Sequence, residues 1–193
     1  MNSVKKRAIE SFEKKDFFTA KTLYALAFNE DEEDFDVKAG LILCSLADEY
    51  TDEISSLFEF YSIANVLDQK NAYENLLNIV DAIEQGEAID DIYNFNIEHQ
   101  LANDEGISYE EFLLLVDESG DFKSVFNNVF FSTKVVITQK NDFFDFVNRL
   151  IENDYIDMAL SYIENANNVF PSDDRLRELL DKINAMQVDE THH

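Results

Sequence analysis

A stretch near the end of the chain carries its clearest pattern. Between residues 141 and 151, bulky apolar side chains recur three or four positions apart, which places them on one face of a helix. After a polar break at 152–154, a second such series runs to Phe170, and Pro171 ends it because proline cannot continue a helix. The stretch therefore predicts two antiparallel helices joined by a short turn.

Small residues at two places in the second helix extend this pattern. Ala159 and Ala166 allow the first helix, with its bulky residues, to approach closely. Bulky residues in one helix, small ones in the next and a terminal Pro171 together resemble the tetratricopeptide repeat (TPR). The resemblance implies stacked helix hairpins with a period of about 34 residues and a role in protein–protein interaction.

The pattern recurs upstream at that period. Thirty-four residues before Asp154 stands Gly120, which is followed by Asp121 and Phe122, a Gly–Asp–aromatic turn typical of TPR hairpins. A left-handed residue is expected at this point of the turn, and glycine adopts it freely while aspartate tolerates it. Helix positions on both sides also match: Tyr109, Phe112, Leu113, Val125, Val129 and Ser132.

Three further hairpins are predicted towards the N-terminus. The first has an acid–aromatic turn at Asp16 and a second helix marked by Phe17, Ala20, Tyr24 and Ala27. It is followed by the loop 29–34, which is acidic and carries about three extra residues relative to the repeat period.

The second and third hairpins are less regular. The second helix of the second hairpin is marked by Leu57, Tyr61 and Ala64, with Thr51 as its N-cap. The third hairpin has a regular first helix and a turn at Gly86, but its second helix has Asp91 and Glu98 where small residues belong. The first helix of this third hairpin is marked by Leu76, Ile79, Val80 and Ile83.

The fold class predicted from these patterns is all-α. It is an α-solenoid of about five antiparallel helix hairpins, TPR-like, with a C-terminal capping helix marked by Leu176, Leu179, Leu180 and Ile183. One domain is expected over residues 1–187, followed by a disordered tail at 188–193. Four glycines and one proline in 193 residues favour long helices over a sandwich or barrel, and an irregular helical bundle is the alternative.

Charge narrows the classes of partner. The chain has 41 acidic and 15 basic residues, for a net charge of -26. Residues 22–120 contain only two basic residues, Lys38 and Lys70, against 25 acidic ones. We therefore expect no nucleic-acid ligand and no anionic membrane surface, both of which require clustered cations. Solubility and a basic partner remain two explanations, and an acidic mimic of nucleic acid is a third.

The single cysteine and the absence of long apolar runs set the expected compartment. Cys44 alone forms no intramolecular disulfide and no multi-cysteine zinc site, and its apolar neighbours predict a buried position. The N-terminal stretch lacks the apolar region of a secretory signal, and no run approaches the roughly 20 apolar residues of a membrane span. A cytoplasmic protein is expected.

One stretch resembles a metal site. Residues 103–112 are similar to the end of an EF-hand loop, with Glu111 at the bidentate position. Gln100 and Ala102, however, stand at ligand positions, and Glu105 replaces the obligatory glycine. Ser108 as a helix N-cap with Glu111 in a capping box accounts for the stretch without a metal.

No other pattern indicates catalysis. The segment 117–121 is interpreted as a hairpin turn, and His99, the only internal histidine, makes neither a triad nor a zinc site. Phosphate-binding loops and nucleophile motifs are absent from the sequence. We therefore expect no metal, no cofactor and no enzymatic activity.

The resemblance also implies where a partner binds. TPR proteins bind peptides or helices on the concave face formed by the first helices of their hairpins, and the matching positions here are Lys5, Phe12, Ile42, Leu46, Glu49, Leu76, Leu114, Asp117 and Phe144. Such a groove is apolar with acid at its margin, although several of these residues could equally be core. Family members that clamp a peptide carboxylate use several Lys and Arg residues, of which only Lys5 is present, so that ligand is not expected.

Three functional hypotheses follow. The first is an adaptor or chaperone-like scaffold that binds a basic, amphipathic peptide or helix, for example an assembly factor for a bacterial secretion or motility component. The second is a self-associating structural protein, possible as a homodimer, in which terminal aromatic residues such as Phe12 and Phe17 pair. The third is an acidic decoy of a nucleic-acid-binding protein.

Overall fold

The computed structural model describes residues 3–67, 69–88, 91, 106–132 and 135–190. These residues form ten helices and two short strands, which confirms the all-α prediction. The helices are α1 (Ser3–Glu13), α2 (Phe17–Glu30), α3 (Phe35–Leu46), α4 (Thr51–Leu67), α5 (Gln69–Glu84), α6 (Tyr109–Ser119), α7 (Phe122–Ser132), α8 (Lys140–Glu152), α9 (Ile156–Val169) and α10 (Asp174–Glu190). The strands β1 (Ile107–Ser108) and β2 (Val135–Val136) pair in parallel. None of the helices within the described ranges is both long and apolar enough to cross a membrane.

Left-handed residues follow the ends of four helices. Gly86, Gly120 and Asp154, which have positive φ angles of 89°, 67° and 66°, follow one another at 34-residue steps. The left-handed turns predicted at Gly120 and Asp154 are therefore confirmed. Lys15, with a φ of 59°, occupies the same place between α1 and α2, although its residue type gave no signal for it.

The same hydrogen-bond pattern closes three of these turns. Asp16 N–H donates to the Ser11 carbonyl at 2.9 Å while Lys15 N–H donates to the Phe12 carbonyl at 2.8 Å. This is the Schellman motif, which satisfies carbonyls at the end of a helix. The motif recurs after α5 and after α8, where Glu87 and Tyr155 donate to carbonyls five residues back at 3.1 and 2.9 Å. Gly120 uses the simpler bond to the Val116 carbonyl.

The interpretation of Ser108 and Glu111 as a capping box is confirmed. The Ser108 hydroxyl accepts from Glu111 N–H at 3.2 Å, and the Glu111 carboxylate accepts from Ser108 N–H at 2.9 Å. The turn at 117–121 is also confirmed, since Asp121 caps α7 by accepting from Ser124 N–H at 3.1 Å. The remaining residues of the EF-hand comparison, at 100–105, lie outside the described residues, as do His99 and Glu98.

One local prediction is wrong. Thr51 is not the N-cap of α4, because Ile54 N–H donates to the Tyr50 carbonyl and the Thr51 hydroxyl donates to the Ala47 carbonyl at 2.9 Å. Helix α10 continues to Glu190, and residues 191–193 of the predicted tail lie outside the described residues. The capping helix itself is present, and its Leu176, Leu179 and Ile183 are buried.

Two apolar cores meet along α4. The first core contains Ile54, Leu57 and Tyr61 of this helix together with residues of α1, α2, α3 and α5. The second contains Ile63 and Val66 together with residues of α6 to α10. Helix α4 therefore has almost no solvent-facing side, and each of its fully buried aliphatic side chains contributes about 1.5–3 kcal/mol.

The chain returns on itself around α4. Besides its sequence neighbours α3 and α5, α4 contacts α8 and α9, which follow more than 70 residues later. In an open solenoid each hairpin touches only its neighbours, so these contacts are not those of a simple stack. Polar bonds join the same two parts of the chain: Lys140 N–H donates to Glu59 of α4 at 2.9 Å, and the Ser172 hydroxyl donates to Glu10 of α1 at 2.8 Å.

A half-buried carboxylate fixes the junction between α8 and α10. Asp173 accepts from Lys140 Nζ at 3.0 Å and from Arg175 at 2.7 Å. The two cations also lie over the rings of Phe170 and Phe144, at 4.3 and 4.0 Å from the centroids. Burial alone would raise the pKa of Asp173, but the hydrogen bonds from Arg175 and Lys140 outweigh it and hold the pKa well below its ordinary value.

We predict that Asp173→Asn lowers the free energy of unfolding by about 2 kcal/mol at pH 7, because asparagine can still accept from Arg175 N–H at the start of α10 but loses the ionic bonds. Asp173 has a depressed folded pKa, so its contribution is complete above its unfolded pKa of about 4 and is lost as pH falls towards the folded value. Urea unfolding should therefore show that the free energies of unfolding of Asp173→Asn and the unmodified protein differ less near pH 2.5 than at pH 7. Asp174→Asn is the matched control, since that carboxylate is 82% exposed. Equal effects of the two substitutions would contradict the assignment.

Candidate binding cleft

A lysine is buried between two aspartates at the start of α3. Lys5 Nζ lies 2.8 Å from Asp34 Oδ2 and 2.7 Å from Asp36 Oδ2, and the residue is only 8% exposed. Asp34 is also the N-cap of α3 and accepts from Asp36 N–H and Val37 N–H. Burial lowers the pKa of Lys5, but attraction and hydrogen bonds from Asp36 and Asp34 outweigh it, so the net shift is upward. The lysine therefore remains charged.

Asp36 connects three helices. Its second oxygen accepts from the Tyr61 hydroxyl at 3.1 Å and from Asn65 Nδ2 at 2.7 Å, both on α4. Burial, followed by repulsion from Asp36, raises the pKa of Tyr61, which keeps this phenol protonated as a donor. Within the described residues, the buried Asn65 Oδ1 and Ser62 Oγ have no hydrogen-bond partner. The network is thus satisfied at Asp36 and leaves spare acceptor capacity at Asn65.

This network forms one wall of a cleft of about 570 Å³. The α2–α3 loop and the start of α3 contribute acids, the end of α4 contributes apolar side chains, and α9 contributes two exposed asparagines from the far side. The lining residues are Lys5, Asp31, Glu33, Asp34, Phe35, Asp36, Asn65, Val66, Leu67, Asn165 and Asn168. The cleft exists because α9 packs against α4.

The lining is suited to nitrogen donors that carry positive charge. Four carboxylates line the cleft against a single lining lysine, which is already neutralised by Asp34 and Asp36. Carboxylates bind ammonium and guanidinium groups through short charge-assisted hydrogen bonds. Among the residues that the structure describes, no group of three His, Cys, Asp or Glu side chains is arranged to hold a metal ion.

The predicted groove does not assemble as a surface, which corrects the sequence interpretation. Phe12, Leu76 and Phe144 are 2%, 1% and 6% exposed, and they pack inside the two cores. The helix pattern identified an apolar face at each of them, but that face lies against neighbouring hairpins. Lys5 is also buried, within its ion pairs.

The other predicted residues are accessible but do not share one site. Ile42 and Leu46 on α3 are half-buried, and Glu49 is exposed after that helix. Leu114, which is 57% exposed, and Asp117 lie on α6, which belongs to the second core. Partner binding by these five remains a prediction, and Lys5 alone of the predicted set lines the cleft.

Most cleft residues were missed by sequence reasoning. Asp31, Glu33 and Asp34 lie in the acidic loop that the repeat period marked as longer than expected, and that extra length was a usable signal. Asn165 and Asn168 stand on the outward face of a regular helix, where no local pattern separates them from ordinary surface residues.

Comparisons with protein families, with curated proteins and with solved structures found no match to this chain.

We predict that Asp36→Ala lowers the free energy of unfolding by about 3–5 kcal/mol, because it leaves a buried lysine with one partner and removes the acceptor of Tyr61 and Asn65. Asp31→Ala, at an exposed position of the same cleft, should cost less than about 1 kcal/mol. Chemical denaturation followed by circular dichroism measures both. Similar small losses for the two variants would mean that the buried network contributes nothing to stability.

Proposed function

We propose that this chain is a TPR-like helical-repeat adaptor that binds a basic, amphipathic segment of a protein partner in the acidic cleft. The observation that carries the proposal is the convergence of four carboxylates, exposed asparagines and the exposed ring of Phe35 at one concave site. Concave sites that combine apolar surface with a few converging polar groups are the usual places for ligands.

The repeat part of the proposal is supported by the turns. Left-handed residues at Gly86, Gly120 and Asp154 occur at the TPR period, and two of these three turns share the Schellman hydrogen bonds. Helical hairpins joined in this way are the building unit of α-solenoids. The return of α8 and α9 to α4 modifies that architecture by bringing distant hairpins together at the cleft.

The four carboxylates of the cleft form two groups: two at its floor are neutralised by Lys5, and two at its rim are exposed. Asp34 and Asp36 are already bound to Lys5, whereas Asp31 and Glu33 are exposed. Glu33 has one nearby cation, Lys38, at 3.5 Å, and its side chain is 89% exposed. A lysine or arginine of the partner would therefore meet the rim carboxylates first. Such exposed charges affect the rate of encounter and the selection of a positively charged partner more than the final affinity.

Apolar and amide groups would supply the rest of the recognition. Phe35 lies beside the rim acids, where Lys38 is over its ring and Tyr73 packs against it, and the 45% of the residue that is exposed offers apolar surface to the partner. The exposed amides of Asn165 and Asn168 can donate to and accept from backbone groups. The lysine that lines the cleft, Lys5, is not open to a carboxylate of the partner, because its three short Nζ contacts are all to Asp34 and Asp36.

We predict that a fluorescent 18-residue helical peptide of Leu and Lys binds this protein at about 0.15 M salt, while its Leu and Glu counterpart does not. Anisotropy titration should show that the double variant Asp31→Lys, Glu33→Lys weakens binding about tenfold or more. Raising the salt concentration should slow association more than it speeds dissociation, because exposed charges mainly steer encounter.

A control of equal charge change is available on α5 and its turn. Glu84 and Glu87 are both exposed and do not line the cleft, so Glu84→Lys, Glu87→Lys alters the net charge by the same amount. This control should weaken binding less than about threefold. Equal loss in both double variants would show that the peptide follows net charge alone, and the cleft would be rejected as the site.

A further inference from the structure

Helix α2 has an apolar face that nothing in the described structure covers. Phe18 is 85% exposed and Leu26 is 51% exposed, and their eight-residue separation places them on the same side of the helix. Ala25 is exposed between them, whereas Ala20, Leu23 and Tyr24 face the core. The exposed side of α2 also carries Lys21 and Thr22, so its uncovered apolar surface is a patch formed by Phe18, Ala25 and Leu26 with polar residues among them.

The Phe18 end of this face is mainly basic, and the exposed acids Asp16 and Glu30 stand at the two ends of α2. Residues 1–21 contain six basic and three acidic residues, although the chain as a whole carries -26. Lys21, one turn after Phe18, and Lys14, at the turn that precedes α2, are both exposed. The α2 face, defined by Phe18, Ala25 and Leu26 with these lysines, therefore combines apolar surface with positive charge in an otherwise acidic molecule.

Helix α6 has a face with the opposite charge. Leu114 and Leu115 are 57% and 43% exposed. Helical spacing places acids around Leu114 at three and four residues in both directions, and the sequence of α6 contains no basic residue. These acids are Glu110, Glu111, Asp117 and Glu118, and with the two leucines they define the α6 face.

The neighbouring helix extends this negative field. Asp142, near the start of α8, has its pKa raised by burial and then by repulsion from Asp145 and Glu110. Asp145 is itself paired with Arg149 at 2.8 Å, so the repulsion that comes from the α6 face is that of Glu110. The α6 face is thus complementary to the α2 face in apolar surface and in charge. Its leucines would contact the apolar side chains of α2, and its acids would contact the lysines.

We propose that the α2 face of one copy of this chain docks on the α6 face of a second copy. The two faces cannot cover each other within one molecule, because both are exposed there. Docking of two different surfaces leaves one free face of each kind, so further copies add head to tail and form a ring or an open chain. The proposal uses no cleft residue and does not depend on the adaptor function.

Two single substitutions test the pairing. Phe18→Asp blocks the α2 face, and Leu114→Asp blocks the α6 face. Sedimentation and light scattering of the unmodified protein should show a mass that rises with concentration and falls as salt is added, since the contact is partly electrostatic. Each variant alone should remain a monomer, because every contact needs both faces.

An equimolar mixture of the two variants gives the decisive result. Phe18→Asp retains the α6 face and Leu114→Asp retains the α2 face, so the mixture should form a dimer and nothing larger. Leu77→Asp serves as the control, because Leu77 is an exposed leucine on α5 outside both faces and its variant should associate like the unmodified protein. Circular dichroism confirms that the variants stay folded, as expected for exposed positions.

Several results would overturn the proposal. A monomer at every concentration up to about 1 mM would leave no association to explain. A mixture that stays monomeric while the unmodified protein associates would show that α2 and α6 do not pair. Loss of association in Asp31→Lys, Glu33→Lys, with both faces intact, would instead place the contact at the cleft.

Discussion

The burial of α4 on both sides is the constraint on which the rest of this structure depends. Ile54 and Leu57 face one core and Ile63 and Val66 the other, with exposures of 4% or less. A helix of this kind cannot lie at the surface of a stack of hairpins, because its second side would expose several large apolar residues. The C-terminal hairpin supplies the missing cover, and the chain closes on its N-terminal half.

The cleft is a consequence of that closure. Because α9 lies on α4, its asparagines stand opposite the acidic loop that precedes α3. Lys5 and Asp36 then hold α1, α3 and α4 in fixed relation at the floor, with contacts of 2.7 to 3.1 Å. Buried ionic contacts of this quality fix geometry more than they add stability, so the rim carboxylates are placed in advance of any partner.

Features with local causes could be predicted from the sequence, and features with distant causes could not. The turns at Gly120 and Asp154 and the capping box at Ser108 depend on a few adjacent residues, and all three are present. The groove positions Phe12 and Phe144 failed because periodicity identifies an apolar face without identifying what covers it. The return of α9 to α4 joins residues about 100 positions apart, and no local pattern encodes such a contact.

The distance across the cleft tests this account most directly. Spin labels at Glu32→Cys and Asn168→Cys occupy exposed positions on its two sides, and buried Cys44 reacts slowly because burial raises the pKa of its thiol to about 12. Pulsed electron resonance should give one narrow distribution below about 30 Å. An open stack, in which each intervening hairpin adds about 10 Å, predicts about 40 Å or more. A broad distribution centred there would contradict both the closure around α4 and the cleft that it creates.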